Sequence, residues 1–163
     1  MNLIKRWWIV AAATVLGLLM FTLTALAQEP YDIQCCGSGT VTMLSASKEL
    51  TIVTLELRGI SQSLHTNKVF DKCTWHAVGL NRIVDGKVHW MQYRKYMDPD
   101  GDTFVIELSG VDQEGTMKFL EGTGKWKGLT GGGKAYVTLR GKPITPGTTQ
   151  YCGRSTGTYE LKK

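Results

Sequence analysis

The chain has 163 residues, 42% of them hydrophobic and 20% charged, and it carries a net charge of +5 at pH 7. This length predicts a single domain, large enough to bury a core that does not depend on disulfides. The positive residues are scattered and form no basic stripe with interleaved aromatic residues, which excludes nucleic acid as a predicted partner. We interpret the excess charge as favouring solubility, with weak attraction to an anionic surface as the alternative.

The first 27 residues predict a secretory signal peptide. Lys5 and Arg6 form a positive segment, an apolar run follows over 7–26, and Ala-Leu-Ala at 25–27 is a small-x-small cleavage site. The apolar run is also about long enough to span a bilayer, so an uncleaved membrane anchor is the alternative. We expect cleavage after this site, a periplasmic or secreted protein, and one domain over 28–163.

The rest of the sequence alternates between apolar and polar residues, which is typical of β-strands, and it shows almost no helical period. The segments with this pattern lie at 39–47, 49–59, 73–84, 87–97, 103–111, 116–122, 134–141 and 155–163. Two apolar sets are expected to face the core, namely Val53, Leu55 and Leu57 in the second segment and Phe104, Ile106 and Leu108 in the fifth.

Short turns separate most of these segments. Asp85 and Gly86 between the third and fourth segments predict a tight hairpin. The sequence DPDGD at 98–102 predicts another turn; it resembles the start of a calcium loop, but its glycine and the expected glutamate are out of place. The long connection at 62–71 is expected to be an ordinary surface loop, or else to lie across one mouth of a barrel.

Eight strands joined mainly by short turns predict an all-β fold, an antiparallel meander that closes into a small barrel. Closure removes the exposed strand edges that an open sheet would have to protect. In such a barrel the first and last strands become neighbours. The interior of an eight-stranded barrel is just wide enough to be filled by side chains or to hold one small ligand.

The four cysteines, Cys35, Cys36, Cys73 and Cys152, all lie in the part expected to be exported, where disulfides form. A bond between the adjacent Cys35 and Cys36 would be a strained ring. We expect one of them to bond Cys152, because both positions come shortly before neighbouring strands. Counting strand directions places those strand starts at opposite rims and favours Cys73 instead, unless the connection at 142–150 runs back along the barrel.

The segment GTGKWKGLTGGG at 122–133 has six glycines. It contains no phosphate-binding motif, and the alternating sequence after it predicts a strand, whereas a phosphate loop leads into a helix. A flexible linker would not carry Trp126 and Leu129. Glycine permits bulges and sharp bends. We therefore predict bends at a barrel rim, with Trp126 and Leu129 packed on the wall between them.

The glycine pattern resembles a late strand and turn of allene oxide cyclase-like and dirigent-like barrels, which are eight-stranded and of calycin type. The residues that carry the resemblance are Gly122, Gly124, Trp126, Gly128, Gly131 and Gly133. The resemblance implies a cavity inside a small barrel and a homo-oligomer, a trimer formed through the outer wall. The catalytic residues of plant allene oxide cyclases match no motif here, so none is assigned.

Few residues suggest chemistry. Cys73 and His76 would lie on opposite faces of one strand, and without a CxxC motif no metal and no cofactor is expected. His76 shares a strand face with Val78 and Leu80, so it is expected to be a core or wall residue. Its other role would be acid–base chemistry with Glu107 or Glu121.

Three tryptophans, Trp75, Trp90 and Trp126, either line a cavity or fill the barrel. These residues and His76 are the candidates for a cavity. The leading hypothesis is an exported, non-enzymatic barrel that binds a small apolar molecule or a protein partner. The alternatives are a cyclase or isomerase acting on an apolar substrate, favoured by a polar pair inside the cavity, and a structural oligomer, favoured by a solid interior.

Overall fold

The computed structural model describes residues 28–45, 47 and 49–162. The predicted signal peptide lies outside these residues. In this part of the chain no helix is long and apolar enough to cross a membrane. The strands are β1 (Glu29–Ser45), β2 (Leu50–Ser63), β3 (Thr74–Val84), β4 (Lys87–Met97), β5 (Thr103–Val111), β6 (Glu114–Gly122), β7 (Leu129–Gly141) and β8 (Thr148–Leu161).

The eight strands form one closed antiparallel barrel in chain order, and β1 pairs with β8 to complete it. The predicted all-β, calycin-like fold is therefore confirmed. The first and last strands are longer than predicted, because β1 begins ten residues before position 39 and β8 begins before position 155. The added part of β1 alternates as a strand should, with Tyr31, Ile33 and Cys35 buried.

The longer strands explain the disulfide. Cys36 and Cys152 face each other directly in the register between β1 and β8, and they are bonded. The predicted bond to Cys152 is confirmed, with Cys36 as the partner. The argument for Cys73 was wrong, because both bonded cysteines lie inside their strands and not before them. Cys35, the neighbour of Cys36, points into the barrel as a buried free thiol, and Cys73 is also buried and free.

One end of the barrel is closed by aromatic side chains. The loop between β2 and β3 inserts Phe70, which is 2% exposed, and this ring meets five other rings at centroid distances of 5.0–5.8 Å. The five rings belong to Tyr31, Phe104, Phe119, Trp126 and Tyr159. The connection is therefore a plug across one mouth, which was the alternative to a surface loop. We call these six rings the aromatic plug.

The glycine-rich segment turns the chain at the closed end. A single 3₁₀ turn covers Gly124–Trp126, and β7 follows two residues later. Gly124 and Gly128 have φ of +51° and +78°, the left-handed region that glycine tolerates. Trp126 and Leu129 are buried, so their predicted packing on the barrel wall is confirmed.

This segment is tied to the predicted turn at 98–102. The indole Nε1–H of Trp126 donates to Asp98 Oδ2 at 2.8 Å, and the Asp98 side chain also accepts the backbone N–H groups of Asp100 and Asp102. Lys125 pairs with Asp98 at 2.8 Å. The Asp98 carboxylate of the turn at 98–102 therefore links this turn to the glycine-rich segment at the closed rim.

The inward faces of β2 and β5 are the predicted ones, since all six apolar residues named above are buried or nearly so. The predicted orientation of β3 was wrong. Val78 and Leu80 lie on the outside of the barrel, 52% and 46% exposed, and the inward positions of β3 include Trp75 and Ala77. The outer wall over β3 and β4 is therefore partly apolar.

Candidate functional site

The half of the barrel away from the aromatic plug is open and contains a cavity of about 290 Å³. The six rings of the aromatic plug fill the other end, whereas the aromatic residues among the cavity lining are Trp90, Tyr136 and Tyr151. Most of the lining is apolar: Val41, Val53, Leu55, Leu57, Ile83, Val88, Trp90, Leu108, Ala135 and Val137. Such a lining, with a few polar groups, is typical of small-molecule sites.

One group of polar side chains surrounds Arg94, an inward residue of β4 that is only 6% exposed. Its Nη1 donates to Tyr96 Oη at 3.2 Å, and its Nη2 donates to Gln92 Oε1 at 3.2 Å and to Tyr151 Oη at 2.6 Å. Cys35 Sγ lies 3.3 Å from Tyr96 Oη. We call these five residues the Arg94 cluster.

Aromatic faces also support the Arg94 guanidinium. Its carbon Cζ lies 4.5 Å from the ring centroid of Trp75 and 5.9 Å from that of Tyr151. Cation–π contacts of this kind partly replace the hydration that a buried cation has lost. The side chain is therefore held in one position from several sides.

The Arg94 cluster carries one positive charge at neutral pH. Burial raises the pKa of the Tyr96 and Tyr151 phenols and of the Cys35 thiol, so all three stay protonated and uncharged. The arginine stays charged because a guanidinium does not lose its proton in proteins. None of the ion pairs found in the described residues includes Arg94.

Three buried side-chain atoms in the described part of the chain lack a hydrogen-bond partner, and all three belong to this region. They are Arg94 Nε, Asn81 Oδ1 and Trp75 Nε1. Arg94 and Asn81 line the cavity, and Trp75 lies under the Arg94 guanidinium. Buried polar groups without partners are rare in folded proteins and call for an explanation.

The structure separates the four residues that the sequence suggested for a cavity. Trp90 lines the cavity, and its Nε1 donates to the carbonyl of Asp112 at 3.1 Å. Trp75 supports the cavity floor through Arg94. Trp126 belongs to the aromatic plug at the other end.

His76 lies outside the barrel. Its side chain is half exposed, and its Nε2 lies 3.0 Å from Oε1 of Glu56. His76 therefore takes no part in the cavity. Strand parity explains this placement, because Trp75 occupies the inward position beside it. Glu107 and Glu121 are likewise outward residues, and the acid–base pairing considered for them is not formed.

Sequence reasoning missed the Arg94 cluster. The signal that was available is the alternation in β4, which puts Trp90, Gln92, Arg94 and Tyr96 on one face. Tyr151 and Cys35 come from other strands, and only the closed register brings them to Arg94. Among the described residues, no three His, Cys, Asp or Glu side chains are grouped so that they could hold a metal ion.

A closed eight-stranded antiparallel barrel with an internal cavity is a calycin-like fold. No protein-family model matches the sequence, and no curated protein matches it significantly. The solved structure of the pterocarpan synthase dirigent protein GePTS1 is similar, with a TM-score of 0.50 and 11% identity, over 86% of this chain and 95% of that chain. The dirigent protein PsPTS1 is less similar, with a TM-score of 0.42 and 14% identity, over 84% and 96%. At 11% identity, the likeness to GePTS1 shows a shared barrel fold.

Proposed function

We propose that the protein binds a small, largely apolar molecule in the open half of its barrel. The observation that carries this proposal is the cavity of about 290 Å³, whose lining includes nine aliphatic side chains and Trp90 and also contains polar groups, with Arg94 among them. Binding would remove apolar surface from water on both partners, which is the main source of affinity for such ligands. The similar barrel of GePTS1 is that of a protein described as a pterocarpan synthase, so this fold suits small organic molecules.

Titration with N-phenyl-1-naphthylamine, a neutral apolar dye that fluoresces on leaving water, tests this proposal. We expect saturable binding to the wild-type protein. Val53→Trp should weaken the binding at least about tenfold, because Val53 lines the cavity and the larger ring would occupy it. Val78→Trp is the matched control, since Val78 lies on the outer wall and should leave the affinity unchanged. No binding, or equal loss in both variants, would refute the proposal.

An enzyme that acts on an apolar substrate is the second candidate function. The Arg94 cluster favours it, because the phenols of Tyr96 and Tyr151 and the guanidinium could polarise a substrate oxygen inside an apolar cavity. The natural ligand decides between the two. Native mass spectrometry of the protein purified from its own compartment should show which small molecule travels with it, and incubation of that molecule with fresh protein shows whether it is converted.

A purely structural barrel with a solid interior is not proposed. The aromatic plug fills only one end, and the other end is open.

We further infer that the protein is exported. The predicted signal peptide and the disulfide between Cys36 and Cys152 support this, since such bonds persist in oxidising compartments. N-terminal sequencing of the protein from the periplasm or medium should begin at residue 28. An intact Met1 in the membrane fraction would contradict this inference.

A further inference from the structure

The charges that line the cavity are all of one sign. Its lining includes Arg94, Arg140 and Arg154 and no aspartate or glutamate. Arg154 is neutralised by Asp32, which accepts its Nε and Nη2 at 2.8 and 2.5 Å. Arg94 and Arg140 form no ion pair with any described residue. Among the lining residues, Arg94 is the buried charge, whereas Arg140 and Arg154 are exposed.

Of the three arginines that line the cavity, Arg94 says most about the ligand because it is buried. A guanidinium has five N–H donors, and here the acceptors are two phenol oxygens and one amide oxygen, all neutral. Its Nε has no partner at all. A buried charge without an opposite charge is among the most costly arrangements in a protein. The cation–π contact with Trp75 offsets only part of that cost.

The neighbours of Arg94 cannot supply the missing charge. Burial keeps the phenols of Tyr96 and Tyr151 protonated, and the Cys35 thiol as well. An anionic oxygen group of a ligand would complete the site, since arginine binds carboxylates and similar groups through parallel N–H donors. The apolar walls above the cluster would then receive the rest of such a ligand.

We propose that the ligand is an amphipathic organic acid, with its anionic oxygen group at Arg94 and its apolar body in the upper cavity. This inference rests on the proposed function, because it names the chemical class of the small molecule that the open half of the barrel binds. Carboxylate, sulfonate and phenolate groups share the required chemistry.

Two dyes with the same apolar body test the inference. N-phenyl-1-naphthylamine is neutral, and 8-anilinonaphthalene-1-sulfonate is the same molecule with a sulfonate added. We expect the wild-type protein to bind the anionic dye at least about tenfold more tightly than the neutral one. Equal affinities, or tighter binding of the neutral dye, would overturn the inference and leave the proposed function standing. Failure of both dyes to bind would refute the proposed function itself.

Variants of Arg94 test whether this residue causes the preference for the anionic dye. Arg94→Met keeps most of the side-chain length and removes the charge, and it should weaken binding of the anionic dye at least about thirtyfold, so that the wild-type preference for the anionic over the neutral dye is lost. Replacement of a buried charge by an apolar residue is commonly tolerated in folding, and a thermal melt checks this. Arg94→Lys keeps the charge and should retain part of the preference.

Lys95→Met is the matched control, because Lys95 is the next residue on β4 and points outward. It should change neither affinity. If Lys95→Met weakened the anionic dye as much as Arg94→Met did, the preference would reflect overall charge, and the assignment to Arg94 would be wrong. If Arg94→Met and Arg94→Lys both bound the anionic dye as the wild type does, the assignment would also be wrong.

Discussion

Asp98 shows how a single carboxylate organises the closed rim. Its side chain is 2% exposed and accepts hydrogen bonds from Trp126, Lys125 and the backbone of the turn that it begins. Burial opposes the negative charge, but the hydrogen bonds from Lys125, Trp126 and the Asp100 amide outweigh it, so the pKa of Asp98 is lowered. The charged form of Asp98 therefore stabilises the fold.

This predicts a pH-dependent contribution to stability. A lowered pKa in the folded state means that the contribution is complete above about pH 5 and is lost as the pH falls through the folded-state pKa. Asp98→Asn should lower the free energy of unfolding by about 2 kcal/mol at pH 7 and by less at pH 2–3. Urea unfolding of both proteins from pH 7 to pH 2 measures this difference.

Asp100→Asn is the control for that experiment, because Asp100 pairs with the same lysine but is 74% exposed. An exposed pair contributes under about 1 kcal/mol. If the two variants lost equal stability, or if the cost of Asp98→Asn did not shrink in acid, the role assigned to Asp98 would be wrong.

Two glycines at the same rim are required for steric reasons. A Cβ at Gly128 would lie 2.1 Å from the backbone oxygen of Lys162, and one at Gly124 would lie 1.8 Å from Asp102 Oδ1. Both residues also have positive φ. We expect Gly124→Val and Gly128→Val each to destabilise the fold by about 1–3 kcal/mol, as measured by thermal or urea unfolding.

Gly141→Val is the control for these variants. A Cβ at Gly141 meets nothing closer than 3.5 Å, and its φ is ordinary. Unchanged melting of the Gly124 and Gly128 variants would show that the rim bends tolerate side chains, contrary to the steric argument.

At the scale of elements, the disulfide joins the two strands that close the barrel. Cys36 on β1 and Cys152 on β8 are 116 residues apart, so the bond closes a long loop in the unfolded chain. In the chain-entropy description such a loop is worth at most about 4–5 kcal/mol. The bond therefore stabilises the seam of the barrel chiefly through the unfolded state.

We predict that Cys36→Ser with Cys152→Ser lowers the free energy of unfolding by about 2–5 kcal/mol, as does reductant on the wild type. Guanidinium unfolding with and without reductant measures this. Reductant should not destabilise the double variant further, since Cys35 and Cys73 are free thiols. A non-reduced peptide map that pairs Cys35 or Cys73 with Cys152 would contradict the assigned bond.

At the scale of the whole molecule, the outer wall carries an apolar patch. Val78 faces Tyr93 and Leu80 faces Met91 across β3 and β4, and all four are 41–52% exposed. Contiguous apolar patches of this kind commonly mark contact surfaces. We propose that the patch is a contact between copies of this chain, in the trimer that the sequence resemblance implied.

Light scattering of the purified protein tests this proposal. We expect three chains in the wild-type particle and one in the variant Leu80→Lys with Met91→Lys, because buried lysines would oppose association. Leu139→Lys is the control, since Leu139 is 62% exposed on β7 and lies outside the patch. A monomeric wild type would refute the proposal, and dissociation by Leu139→Lys would place the contact elsewhere.

The sequence by itself determined the strands, their number and the closed barrel. Alternation with a period of two, as in Val53, Leu55 and Leu57, is a local signal, and the turn residues between strands are local as well. Closure followed because open edges are costly. The rim bends at Gly124 and Gly128 were also predictable from a local signal, because glycine is the residue that readily adopts a positive φ.

Only the tertiary structure decided which face of a strand points inward where both faces mix polar and apolar residues. A period of two shows which residues share a face but not where that face points. His76, Val78 and Leu80 therefore lie outside, although the sequence suggested an inward face.

The candidate site was also decided by the tertiary structure, because its residues come from different strands. Through the closed register, Arg94 of β4 meets Tyr151 of β8, and Tyr96 of β4 meets Cys35 of β1; the bond of Cys36 to Cys152 depends on the same register. The loop with Phe70 closes one end of the barrel, and the cavity lies at the other end. Contacts between residues distant in the chain create these features, and no local pattern encodes them.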